Sequence, residues 1–209
     1  MANAAGSTKA TIEFYFDFIS PFGFCASLRV DDLARKYGRT AAWSSMLVGV
    51  SVMKVMNLPP IRDLPLKGPY QKRELARYVR KRGISLGHDV RTEPAYPIPA
   101  GRAFHWLNHH QPELAKPAAK AILNAYWIDG RDIGNSEVVA ELCASVGAER
   151  QTVLHAVQGE EGSALLRAAV DHSLAKGVFG SPFFIIDGEP FFGLDKMELI
   201  EEWLATGGW

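Results

Sequence analysis

The sequence predicts an α/β protein whose small mixed sheet is split by a long helical insertion. Three observations carry that expectation. Residues 12–18 alternate Ile12, Phe14, Phe16 and Phe18 with Glu13, Tyr15 and Asp17, a period of two rich in β formers. The middle of the chain, from about Ala103 to Lys176, keeps helical spacing almost throughout. Near the end, Phe183-Phe184-Ile185-Ile186, Asp187-Gly188 and Glu189-Pro190-Phe191-Phe192 read as a hairpin with a tight turn.

The elements follow in order. The first strand has bulky side chains on both faces, as a strand in the middle of a sheet does. It stops at Ser20-Pro21, and proline, with no N–H and a preset φ, suits the first turn of a helix. Phe24/Leu28 and Val30/Leu33/Ala34/Tyr37 extend one helix to Gly38. Trp43 to Val48 is the next strand, ending at Gly49. Asn57 to Tyr70 holds four prolines and Gly68, so it reads as an irregular surface connection of the kind that borders binding sites. Leu75, Tyr78 and Val79 return to helical spacing up to Gly83, and Pro94 to Pro99 leads into the helical block. Within that block Ala121/Ile122/Ala125/Tyr126 and Val138/Val139/Leu142/Cys143/Val146 form apolar stripes, with breaks at Pro112, Asp129-Gly130, Gly147 and Gly159. Pro190 places the last strand at a sheet edge. Asp195 and Glu198 have the spacing of a reciprocal cap, opening a helix through Leu204. A βαβ half followed by a ββα half is the thioredoxin arrangement. Residues 1–48 and 178–209 form that part, and 49–177 form a mostly helical inserted domain.

Composition narrows the function. The 209 residues carry 23 Lys+Arg against 23 Asp+Glu, and no basic run exceeds Arg80-Lys81-Arg82, which argues against binding nucleic acid through its phosphates. No stretch of about 18 uncharged apolar residues exists to span a membrane. Met1 to Ala10 is small and polar, unlike a secretory leader. Cys25 and Cys143 are far apart and form no CxxC pair, so a disulfide scaffold is excluded and a reducing, cytoplasmic setting is the default.

Two places could carry chemistry. Ser20 lies at the strand-to-helix turn, where unpaired N–H groups and the helix dipole favour an anion. A dithiol redox enzyme would place a cysteine there and a second one three residues on; this chain has Ser20-Pro21-Phe22-Gly23. The plainer role of Ser20 is to cap the helix. Ser181-Pro182, just before the hairpin, is the second place. In a thioredoxin-like arrangement this bond is typically cis and leaves backbone groups for an extended peptide, whereas local sequence alone favours an ordinary trans proline. His105 and His109, with His110 beside them, have metal-ligand spacing, but no further ligands complete a set and no metal site is expected. The motifs of a serine-hydrolase elbow or a phosphate-binding loop are absent.

Phe14-Tyr15-Phe16-Asp17-Phe18-Ile19-Ser20-Pro21-Phe22 resembles the N-terminal signature of the 2-hydroxychromene-2-carboxylate isomerases. These are grouped with the kappa-class glutathione transferases in the DsbA-like branch of the thioredoxin superfamily. Val178 to Phe184, followed by Phe191-Phe192-Gly193-Leu194-Asp195-Lys196-Met197, resembles the same family's second signature. Asn57–Pro60, Tyr70–Leu75 and Asp129–Ile133 sit where related patterns fall, so the resemblance spans Thr11 to Leu204.

The resemblance implies a cytoplasmic glutathione-dependent isomerase, a homodimer acting on small aromatic carboxylates from aromatic hydrocarbon breakdown. It would interconvert 2-hydroxychromene-2-carboxylate and trans-o-hydroxybenzylidenepyruvate-like compounds by thiolate addition and bond rotation. Ser20 would meet the glutathione sulfur. The Ser181 backbone ahead of Pro182 would pair with its cysteinyl part, Gly193, Leu194 and Asp195 would hold its γ-glutamyl end, and Lys72 would lie near its carboxylates. Arg62, preceded by Ile61 where the best-known pattern has Asn, would face the substrate carboxylate, and Leu194 stands where a polar residue is usual. A kappa-type transferase or peroxidase, and a redox-inactive DsbA-like peptide-binding module, are the alternatives.

Overall fold

The computed structural model describes residues 11–89 and 93–209; the leader expectation for Met1–Ala10 lies outside them. Strand β1 is Ile12–Phe16 and β2 is Ala41–Ser45, with hairpin strands β3 (Phe183–Ile186) and β4 (Glu189–Phe192). The sheet order is β2-β1-β3-β4, with β1 parallel to β2 and antiparallel to β3. Strand β4, with Pro190, is an edge as the sequence predicts. The register lines up Trp43, Phe14, Phe184 and Phe191 across one face, all buried. Such cross-strand aromatic pairs stabilise the sheet beyond their area burial.

Helices α1 (Pro21–Ser27) and α2 (Val30–Lys36) follow β1; α3 (Lys67–Lys81), α4 (Ile98–His110), α5 (Pro112–Trp127), α6 (Ser136–Ala144), α7 (Arg150–Gln158) and α8 (Glu160–Ala175) form the insertion, and α9 (Met197–Thr206) closes the chain. Phe16 and Phe18 from the sheet side meet Phe104 of α4 edge-on, and Phe24 of α1 stacks on Trp127 of α5. One core therefore runs from the sheet into the insertion.

Several sequence expectations need correction. Residues 21–38 are two helices rather than one. The chain tightens at Leu28-Arg29, where Arg29 N–H bonds the Ala26 carbonyl and the Ser27 hydroxyl bonds that of Phe24. Leu28 consequently faces solvent. Strand β2 sits earlier than 43–48 because its parallel register with β1 ends at Phe16–Ser45. The connection Asn57–Tyr70 is not wholly irregular, since Ile61–Asp63 forms a 3-10 turn within it; before it, Gly49–Val55 forms a π-helical turn. Helix α3 begins at Lys67, its first turn accommodating Pro69. The reciprocal cap at Asp195/Glu198 does not form. A 3-10 turn (Leu194–Lys196) intervenes, and Asp195 instead pairs with Lys196 at 2.7 Å.

Candidate active site

The corner between β1 and α1 gathers the polar groups. Ser20 caps α1: its hydroxyl oxygen accepts the Gly23 N–H at 3.0 Å and its proton goes to the Ser181 carbonyl at 3.0 Å. The Ser181-Pro182 bond is cis, as is typical of the thioredoxin arrangement and not favoured by local sequence alone. The Ser181 hydroxyl accepts the Asp17 N–H at 2.9 Å, so the two serines, 161 positions apart, face each other across the corner. Capping and site placement coincide in Ser20.

Space reinforces what composition says about redox chemistry. A Cβ at Gly23, where a dithiol enzyme would carry its second cysteine, would lie 2.5 Å from the Ser181 Oγ and 3.2 Å from the Ser20 Cβ. Cys25 and Cys143 are both buried and free, and burial pushes both thiols up to about 12, far from reactive thiolates.

Asp17 is the residue that sequence reasoning missed here. Its carboxylate is fully buried and accepts N–H groups from Ile19 at 3.1 Å and Val48 at 2.8 Å. Burial pushes its pKa up to about 6, against the two backbone donors that favour the charged form. The signal was available: a lone acid inside the apolar run Phe14 to Phe18, three positions from the candidate serine.

Ser20 and Ser181 line a cavity of about 770 Å³, within the range of roughly 300–1,000 Å³ typical of small-molecule sites. Its far wall is apolar, built from Val52, Met53, Met56, Leu58 and Leu64 of the connection after β2. Arg62, Lys67 and Lys72 bring positive charge to it, and Ile61 lines it beside Arg62. Arg62 is placed by a close approach of backbone. The turn 61–63 lies against α3 where Gly68 leaves room, since a Cβ there would sit 2.3 Å from the Arg62 carbonyl oxygen. Its guanidinium pairs with the exposed Glu93 at 2.5 Å. Phe179 and Phe192, 4.6 Å apart, form an aromatic end next to Ser181.

Other expected residues fall nearby but not on the cavity lining. Pro182 is buried behind Ser181, and its carbonyl accepts the Gly193 N–H at 3.0 Å. Gly193 takes a φ of 112°, which suits glycine. The Leu194 side chain is buried in the core, so only its backbone could meet a ligand. Asp195 is exposed, beyond the hairpin. His105, by contrast, is buried in the core, its Nε2 2.9 Å from both the carbonyl and the hydroxyl oxygen of Ser45. Burial brings its pKa down to about 4.

A thioredoxin-type sheet with a cis proline opposite a helix cap, and a serine where redox members keep sulfur, defines a DsbA-like protein without dithiol chemistry. The chain indeed matches the family model of the DSBA-like thioredoxin domain over residues 11–205 and belongs to that family. It is 26% identical over 195 residues to a 2-hydroxychromene-2-carboxylate isomerase of Sphingobium xenophagum, covering 93% of this chain and 97% of that one. A 2-hydroxychromene-2-carboxylate isomerase of Pseudomonas putida is 26% identical over 196 residues, 91% of this chain and 92% of its own. Among solved structures, a 2-hydroxychromene-2-carboxylate isomerase superposes with a TM-score of 0.81 at 24% identity over 95% of each chain. The cytosolic disulfide reductase DsbM of Pseudomonas aeruginosa, solved with GSH, superposes at 0.62 with 18% identity, over 94% of this chain and 96% of that one.

Proposed function

We propose that this chain is a glutathione-dependent isomerase of small aromatic carboxylates, acting on 2-hydroxychromene-2-carboxylate or a close analogue. The observation that carries this reading is the Ser20–Ser181 pair. A hydroxyl with a movable proton faces a backbone carbonyl ahead of a cis proline, on the lining of an apolar cavity that also carries cations. The similarity to isomerases along nearly the whole chain supports the reaction class.

The site's chemistry fits the tripeptide. Ser20 can turn its proton from the Ser181 carbonyl to a sulfur anion, while the Gly23 N–H keeps the hydroxyl in place. The Ser181 carbonyl then accepts an amide N–H from the extended ligand, so no buried acceptor is left unpaired. Lys72 and Lys67, which line the cavity, would meet carboxylates, and the Gly193–Asp195 backbone, tied to Pro182 through the Gly193 N–H, would take the γ-glutamyl end. Arg62 exchanges its exposed partner Glu93 for the substrate carboxylate. When bound, glutathione would supply the thiol as the nucleophile for the substrate double bond, with Ser20 holding its sulfur anion. The apolar wall receives the flat ring and excludes water.

Turnover of 2-hydroxychromene-2-carboxylate followed with and without glutathione tests this. Glutathione-dependent isomerisation with the thiol concentration unchanged is the expected result. Consumption of the thiol would instead mark a conjugating transferase, and an inert protein a binding module.

A further inference from the structure

The cavity has a second polar feature that the reading above leaves without a task. Tyr126 of α5 and His88 both line it. Considerable local structure holds the imidazole there. Gly87 N–H donates to the Trp127 carbonyl at 2.9 Å, and a Cβ on Gly87 would sit 2.1 Å from the Ile128 carbonyl oxygen, so only glycine allows the approach. The His88 ring then lies 4.3 Å from the Tyr126 ring and edge-on to Trp127 at 5.3 Å. Its Nε2 is 3.0 Å from the Tyr126 hydroxyl, which also accepts the Ala95 N–H at 3.1 Å. Nδ1 has no partner among the described residues.

We propose that His88 is the acid–base residue that opens the hemiketal ring of the substrate, and that Tyr126 is its positioning residue; this rests on the isomerase reading. In the tautomer that donates Nε2–H to the Tyr126 oxygen, the lone pair is on Nδ1 and the ring can act as the base. The hemiketal carbon bears a hydroxyl, the carboxylate and the ring oxygen. Nδ1 takes the hydroxyl proton; the O–H electron pair becomes the second bond of a carbonyl, and the ring C–O pair leaves on the aryl oxygen. The same proton passes from Nδ1 to that oxygen. The products of the step are a phenol and an α-keto carboxylate, with no net proton or electron exchanged. Arg62, lining the same cavity, holds the carboxylate. Burial favours the neutral ring that such a base needs, opposed by the neighbouring Asp89. Burial raises the Tyr126 pKa, and Asp17, Asp132 and Arg62 act electrostatically on the same hydroxyl.

The test joins a binding probe to kinetics. Chromone-2-carboxylate keeps the bicyclic ring and the carboxylate but has no hemiketal. Titrating it into the protein is expected to shift the His88 ring resonances in NMR spectra, and unmoved resonances would overturn the proposal whatever the fate of the isomerase reading. His88→Gln is expected to lower kcat about 100-fold with KM within about threefold of wild type. His88→Ala is expected to lose as much and to regain turnover on addition of imidazole, a rescue that a purely structural role would not give. Tyr126→Phe should lose about tenfold and change the His88 titration measured by NMR. A His88→Gln enzyme at the wild-type rate overturns the proposal, as does a His88→Ala loss that imidazole leaves untouched. Wild-type turnover that needs no glutathione would overturn the thiolate reading alone, with the His88 measurements still standing.

Discussion

The cavity has two walls of opposite character. On the sheet side Ser20 and Ser181 line the cavity with their hydrogen bonds assigned, Ser20 to Gly23 and Ser181, and Ser181 to Asp17, which is buried off the lining and bonded in turn by Ile19 and Val48. The opposite wall, residues 49–64, is methionine-rich and apolar, much of it exposed, with Met53 half accessible and its polar groups at the ends of long side chains. The sheet wall is over-determined and suits reaction chemistry, which tolerates little misplacement. The opposite wall can adapt its shape to a ring, as flexible methionine side chains do.

That contrast can be broken or sharpened by experiment, beginning with the sheet wall. Ser20→Ala removes the hydroxyl proposed to face the glutathione sulfur and is expected to lower turnover about 100- to 1,000-fold, a loss of roughly 3–4 kcal/mol, as measured by steady-state kinetics. The lost cap should cost about 1 kcal/mol of stability as well.

The next effect is electrostatic, about 3 kcal/mol for each of two groups. Asp17 has its folded pKa raised to about 6, so its contribution to stability is fully present below the unfolded value of 3.8 and is lost as pH rises through about 6. His105 runs the other way: its pKa is depressed to about 4, so its contribution is present above 6.5 and is lost as pH falls toward about 4. The two offset each other in the intervening window. Denaturant unfolding across that range should therefore show Asp17→Asn losing stability on acidification relative to wild type, and His105→Gln gaining it.

A methyl group at position 23 would collide with Ser181. Gly23→Ala should cost about 1–3 kcal/mol of stability, read by thermal unfolding, and should weaken turnover by disturbing the serine pair. On the opposite wall, Arg62→Gln should raise KM for the substrate about tenfold, roughly 1.4 kcal/mol, with kcat little changed. Smallest of all, Leu66→Ser, at a side chain 87% exposed, should leave stability within about 0.5 kcal/mol.

What the sequence made legible was local. The hairpin with its Asp-Gly turn, the capping serine before a proline, and the breaks at Pro112, Gly147 and Gly159 depend on residues within a few positions of one another, and the structure has them where the pattern places them. Ser20, Ser181, Arg62, Ile61 and Lys72 do share one cavity. Less visible were features set by distant backbone. The break between α1 and α2 interrupts a continuous apolar period, and β2 takes its limits from pairing with β1. Asp17 looked like the polar half of an alternating strand because its two donors come from the following turn and from Val48. His88 carries no motif at all. Its place depends on Gly87 fitting against the carbonyl of Ile128, forty-one positions along the chain.

A crystal structure of the protein with glutathione bound would decide most directly whether Ser20 addresses the tripeptide's sulfur. The expected result is sulfur within hydrogen-bonding distance of the Ser20 Oγ, with an amide of the ligand on the Ser181 carbonyl in place of the serine proton. A tripeptide bound elsewhere, with the Ser20 hydroxyl still donated to Ser181, would contradict the assignment.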